Sequence, residues 1–168
     1  MLLLVRKTRI NLTAHTLKNA EAFDMIDKSR KYWYGDSSYD IDEYLKEYTG
    51  LPEIDIKPVI CRACGSDLLA MRLDANEEAI QVNCPKCGAK KILLDCEEVW
   101  EDAKPKLRKC AVCKTGKEHN VKVGFVRREN GSVKRVYIGS RCANCGVLAS
   151  YLDWKVSYEP TEEMEGNI

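Results

Sequence analysis

Residues 61–65 read Cys-Arg-Ala-Cys-Gly, and residues 84–88 read Cys-Pro-Lys-Cys-Gly. Nineteen residues separate Cys64 from Cys84, inside the C-x2-C-x15–20-C-x2-C pattern of a zinc site. The pattern recurs with Cys110/Cys113 and Cys142/Cys145, now 28 residues apart. Eight of the nine cysteines therefore fall into four C-x2-C pairs. Two pairs supply four thiolates, the full tetrahedral shell of a structural Zn²⁺. The spacing predicts two structural zinc ions per chain, held by Cys61, Cys64, Cys84 and Cys87, and by Cys110, Cys113, Cys142 and Cys145. A shell closed by four thiolates has no open position for chemistry.

Working outward, each metal unit has about fifty residues, too few to fold on an apolar core alone. Zinc supplies the staple, worth roughly 10–16 kcal/mol per site in apparent binding free energy near neutral pH. A secreted disulfide framework is the rival use of many cysteines. Against it, the Met1–Val5 run has no positive region before it and leads straight into Arg6, Lys7 and Arg9. It reads as a short strand and not as a secretory signal. No apolar run reaches the ~20 residues of a membrane span. The expectation is a cytoplasmic chain, with no membrane partner, whose cysteines hold metal.

Helical spacing marks the cysteine-free first part. Leu17, Ala20, Phe23 and Ile26 recur at three-residue spacing between Thr16 and Tyr34. A clearer helix begins at Asp40, with Glu43 as capping-box partner and Ile41, Tyr44, Leu45 and Tyr48 on one face. Gly50 and Pro52 stop it, and residues 51–58 read as a connector. The first unit reads knuckle, strand (68–73), turn, strand (80–83), knuckle, strand (91–94). The second repeats the plan around a longer hairpin, residues 121–128 and 132–139 flanking Asn130-Gly131. A two-residue turn pairs Arg127 with Lys134, Phe125 with Val136 and Val123 with Ile138. A third strand places Leu148, Leu152, Trp154 and Val156 on one face.

These knuckles and strands resemble the zinc-ribbon superfamily, in which two cysteine knuckles at the ends of a small antiparallel sheet grip one metal. The resemblance covers roughly residues 57–158. It implies an α+β chain: a mainly helical segment (1–56), two antiparallel-β ribbons (57–104 and 105–158) and an acidic tail (159–168), expected to be disordered. Gly65, Gly88 and Gly146 follow the second cysteine of three knuckles and suit a φ > 0 turn. The third knuckle departs, with Lys114 in that place and Gly116 delayed.

A thioredoxin-type redox motif is single and sits at a helix start, unlike four pairs lying between strands. Cys96 is unpaired and reads as a small buried hydrophobe. His15 and His119 read as structural or surface histidines, since four cysteines already complete each site. With two histidines, no phosphate loop and no nucleophile–base arrangement, no catalytic residue is assigned and an enzyme is not expected.

The net charge of +1 hides an asymmetry: residues 105–157 carry 12 Lys and Arg against 3 Asp and Glu. Metal loading adds about −2 per quartet, and the second unit stays basic. Its hairpin tip (Arg127, Arg128, Lys134, Arg135, with Tyr137) is the candidate partner-binding surface. Two partners compete for it. A protein is favoured because the whole chain is near neutral, one form of this being an inhibitor or immunity protein; nucleic acid is the alternative. A solvated edge whose charges offset the zinc–thiolate clusters accounts for the same residues without a partner.

Overall fold

The computed structural model describes residues 26–168, and antiparallel sheet dominates it. In chain order come α1 (Asp40–Thr49), β1 (Asp55–Val59), β2 (Leu69–Asp74), β3 (Ala79–Asn83), β4 (Lys90–Ile92) and β5 (Lys106–Leu107). Then follow β6 (Glu118–Arg127), β7 (Val133–Cys142), β8 (Leu148–Lys155) and α2 (Glu162–Gly166). The strands of the two metal units join in one sheet, ordered β4-β3-β2-β6-β7-β8. β1 pairs with β6 over Val121–Phe125, and β5 pairs with β2. The seam between units is short, Leu69 and Ala70 of β2 lying opposite His119 and Glu118 of β6. One apolar cluster crosses that seam: Met71, Ile80 and Val82 pack with Val123, Phe125, Val136 and Trp154. The other face of β6–β8 receives α1, whose Ile41 and Leu45 are fully buried with Leu148. Side chains of that size each contribute roughly 1.5–3 kcal/mol by burial. Gly139 permits the approach, because a Cβ there would stand 2.8 Å from both Ile41 and Leu45.

Several local expectations need correction. Of the helix expected over 16–34, residues 16–25 lie outside the described residues, and residues 26–34 are not helical. Asp27 and Tyr34 exchange backbone hydrogen bonds of 2.9 and 3.1 Å around a bend, and Tyr34 bridges to Val147. The run Lys28-Ser29-Arg30-Lys31 has no apolar face to bury, whereas Trp33 and Tyr34 suit an extended edge. The expected connector over 51–58 contains β1, kept to a sheet edge by Pro58, which has no N–H to donate. α1 itself forms where expected, but its capping box does not. The Asp40 carboxylate reaches backwards and accepts the N–H groups of Asp36 and Ser37, each at 2.8 Å.

The hairpin keeps Phe125 opposite Val136 and Val123 opposite Ile138, but Arg127 meets Val133 instead of Lys134. Only Gly131 in the turn has positive φ, so the type I′ turn, which needs two such residues, does not form. Arg128 and Ser132 instead close a three-residue loop with Gly131 in its left-handed position. The third strand does not keep one face inward either. Ile138 pairs with Leu152 and Gly139 with Ser150, so Tyr151 is an extra residue that flips the strand. Leu148 thus joins the α1 cluster, while Leu152, Trp154 and Val156 join the larger core.

The acidic tail is fastened down, contrary to the expectation of disorder. Met164 is buried in the main core, and the Thr161 hydroxyl accepts the Val133 N–H at 3.0 Å. Leu94 N–H donates to the Asn167 carbonyl at 2.7 Å, and Asn167 donates back to Leu94 at 2.7 Å. Apolar Met164 among the glutamates and Ile168 after them give the tail something to bury. No helix among the described residues is long and apolar enough to cross a membrane.

Candidate metal centres and the basic hairpin

Each knuckle is a tight turn closed by its own backbone. In the first, Gly65 N–H donates to Cys61 O and Cys61 N–H to Ser66 O; Gly88/Cys84/Ala89 and Gly146/Cys142/Val147 repeat the pair of bonds. The glycines have φ of 73, 77 and 76°, the left-handed conformation this turn requires. Lys114 takes the same place in the third knuckle at φ 62°, and its N–H donates to Cys110 O. The closing bond there falls one residue later, from Cys110 N–H to Gly116 O, so Thr115 is an insertion. Gly116 is needed at that spot because a Cβ would collide with Cys142 Sγ and lie 3.2 Å from Cys113 Sγ.

The four turns bring the eight cysteines together as two clusters, within each of which all sulfurs lie within 4.8 Å of one another. The Cys61–Cys87 and Cys64–Cys84 sulfurs stand 3.5 Å apart, Cys110–Cys145 3.6 Å and Cys113–Cys142 3.9 Å. A tetrahedral ion with thiolate bonds near 2.3 Å needs sulfurs about 3.8 Å apart, so the donor set fits such an ion. All eight cysteines predicted as ligands are placed to bind metal, consistent with zinc ribbons.

Hydrogen bonds prepare the sulfurs. Cys113 Sγ accepts from Asn144 Nδ2 at 3.4 Å, Gly116 N–H at 3.3 Å and Thr115 Oγ1 at 3.7 Å. These donors hold its thiol at about 5. Burial opposes the Cys84 thiolate, but hydrogen bonds from the Cys87 N–H, the Cys64 thiol and the Lys86 N–H outweigh it and bring that thiol to about 6. In each quartet, then, hydrogen-bond donors favour the thiolate form at one sulfur, Cys84 in the first and Cys113 in the second. Asn144 and Thr115 were not singled out from sequence; polar residues inside a knuckle loop were the available signal.

Among the described residues, Cys96 and His119 stand outside both sulfur clusters. Cys96 is buried, its thiol pushed up to about 12 by burial, and it donates to Glu78 O at 3.6 Å. His119 is fully buried and meets Tyr151 edge-on at 6.1 Å, so the surface reading fails for it. His15 lies outside the described residues.

At the hairpin, most of the positive charge is engaged within the chain. Arg127 lies between Asp55 at 2.5 Å and Glu165 at 2.8 Å, which raise its pKa further. Arg128 meets Glu159 at 3.5 Å and donates to Val133 O and Val156 O. Arg135 pairs with Asp153 at 2.9 Å. Lys134 is exposed and has no carboxylate partner among the described residues. Tyr137 is half-buried and ends a row of rings: Trp33 and Tyr44 at 5.6 Å, Tyr44 and Tyr48 at 5.6 Å, Tyr48 and Tyr137 at 6.3 Å. Within this row Tyr48 is 53% exposed, and Tyr39, outside it, is 79% exposed.

No protein-family model matches the chain, and no curated protein or solved structure does so either.

Proposed function

We propose that this chain is a non-enzymatic binding protein stapled by two structural zinc ions, and that its partner is a protein met by the tyrosine-bearing face of α1. The observation that carries the first half is the convergence of eight sulfurs into two all-thiolate quartets. Such soft donor sets suit zinc, and four thiolates fill its tetrahedral shell, so neither water nor substrate has a position on the ion. Elemental analysis of protein purified without added metal is expected to return two zinc atoms per chain, with Zn–S distances near 2.3 Å by X-ray absorption. One equivalent or none, or another metal, would defeat the assignment.

Exposed tyrosines support the choice of a protein partner. Tyr39, Tyr48 and Leu51 stand out from α1 and its flanks, and large amphipathic rings of this kind anchor protein interfaces. A partner protein recovered with the chain should be released by Tyr39→Ala with Tyr48→Ala while zinc content stays at two. Retention by the double variant would place recognition elsewhere. Nucleic acid at the hairpin tip draws less support, since Arg127, Arg128 and Arg135 already face carboxylates.

A further inference from the structure

We propose that the loop carrying Cys110 and Cys113 is a second contact surface, one that takes the phosphate backbone of a nucleic acid. This goes beyond the protein-binding reading and stands whether or not that reading holds.

The ion pairs of the described residues fall elsewhere. Their cations are Lys28, Arg30, Lys57, Lys122, Arg127, Arg128 and Arg135, on the bend before α1, on β1, on β6 and at the hairpin. Residues 108–117 contain Arg108, Lys109, Lys114 and Lys117 and no acid, and none of these four has a carboxylate partner among the described residues. The three lysines are exposed. The bond from Cys110 N–H to Gly116 O closes the loop, so Lys109 and Lys117 flank its base while Lys114 occupies its left-handed turn. Arg108 is held with its guanidinium 4.0 Å from the centre of the Tyr151 ring. A loaded thiolate quartet nearby contributes about −2, and four cations exceed it.

The loop offers lysines and little else. Its other exposed residues are Ala111 and Thr115, so it has no large apolar side chain of the kind that anchors a protein partner. Phosphates need no such anchor: Lys and Arg neutralise them, release counterions and fix the protein on the strand without reading bases. The absence of an exposed ring within the loop makes the expected binding independent of sequence.

The experiment uses the zinc-loaded full chain and a fluorescently labelled DNA duplex of about 20 base pairs and mixed sequence, followed by anisotropy. With about four phosphates engaged, affinity should fall about a hundredfold between 50 and 200 mM salt. Lys109→Glu, Lys114→Glu and Lys117→Glu together should weaken binding at least tenfold and reduce the salt slope by about three, zinc content remaining at two. The corresponding Lys→Arg triple variant should bind like the original, which guards against a folding defect in the Glu variant. Lys134→Glu at the hairpin should change affinity by less than about twofold. The proposal is overturned if the original chain leaves the duplex free at 50 mM salt, as it would if the loop served an acidic protein. It is equally overturned if the Glu triple variant binds with unchanged slope, or if Lys134→Glu alone removes binding. Release of a protein partner by the Tyr39 and Tyr48 substitutions is a separate readout and bears on none of these outcomes.

Discussion

Lys114 shows what one residue costs in a metal knuckle. It occupies, at φ 62°, the conformation that Gly65, Gly88 and Gly146 supply elsewhere. A left-handed L-residue costs roughly 1–2 kcal/mol, part of which glycine would give back as unfolded-chain entropy. Lys114→Gly should therefore raise thermal stability slightly, and Gly88→Ala, where a Cβ meets nothing within 4 Å, should lower it by about 1 kcal/mol. Calorimetry on the two variants checks both signs. Gly116→Ala is expected to expel the second metal alone, because its Cβ intrudes between Cys142 and Cys113. Cys96→Ser should instead leave both metals in place and cost only packing; loss of one zinc by elemental analysis would overturn the ligand set. The two cysteine quartets were legible in the sequence, since C-x2-C spacing is a local property of one turn. What spacing could not convey is that a lysine tolerates the turn once Thr115 lengthens it.

The tail and the hairpin explain each other at the level of elements. Glu165 of α2 and Asp55 of β1 converge on Arg127, and Glu159 reaches Arg128. Hydrogen bonding from Arg127 lowers the Glu165 pKa. A carboxylate depressed in the folded state adds stability that is present above its unfolded value of about 4.3 and is lost as pH falls through the lower folded value. Acid titration below about pH 4 should therefore loosen the tail, and Glu165→Gln should remove that part of the pH dependence. Met164→Ala should cost about 2–5 kcal/mol, measurable by denaturant unfolding, whereas a free tail would make it silent. Strands with clean alternation, such as β3 and β6, were readable in advance. β1, the Tyr151 bulge and the tail were not, because each depends on a partner distant in sequence: β6 for β1, α1 and the core for the two halves of β8, and Leu94 for Asn167.

For the whole molecule, the two cysteine-quartet units share a sheet and a core, which length and cysteine spacing do not announce. Cooperativity follows from that sharing. The zinc-loaded chain should unfold in a single calorimetric transition, and Cys84→Ser, besides losing the first zinc, should lower the temperature at which the second unit melts. Two independent transitions would mean that the Leu69–His119 seam carries no coupling. The same seam imposes an order on synthesis. All four sulfurs of the first quartet have been made once Cys87 emerges, yet β6, against which β1 and the start of β2 align, is made only later. A metal taken up at that point would close the first quartet with two strand edges still bare, and it is at that stage, before the second knuckle pair exists, that the chain is most exposed to mispairing with its neighbours.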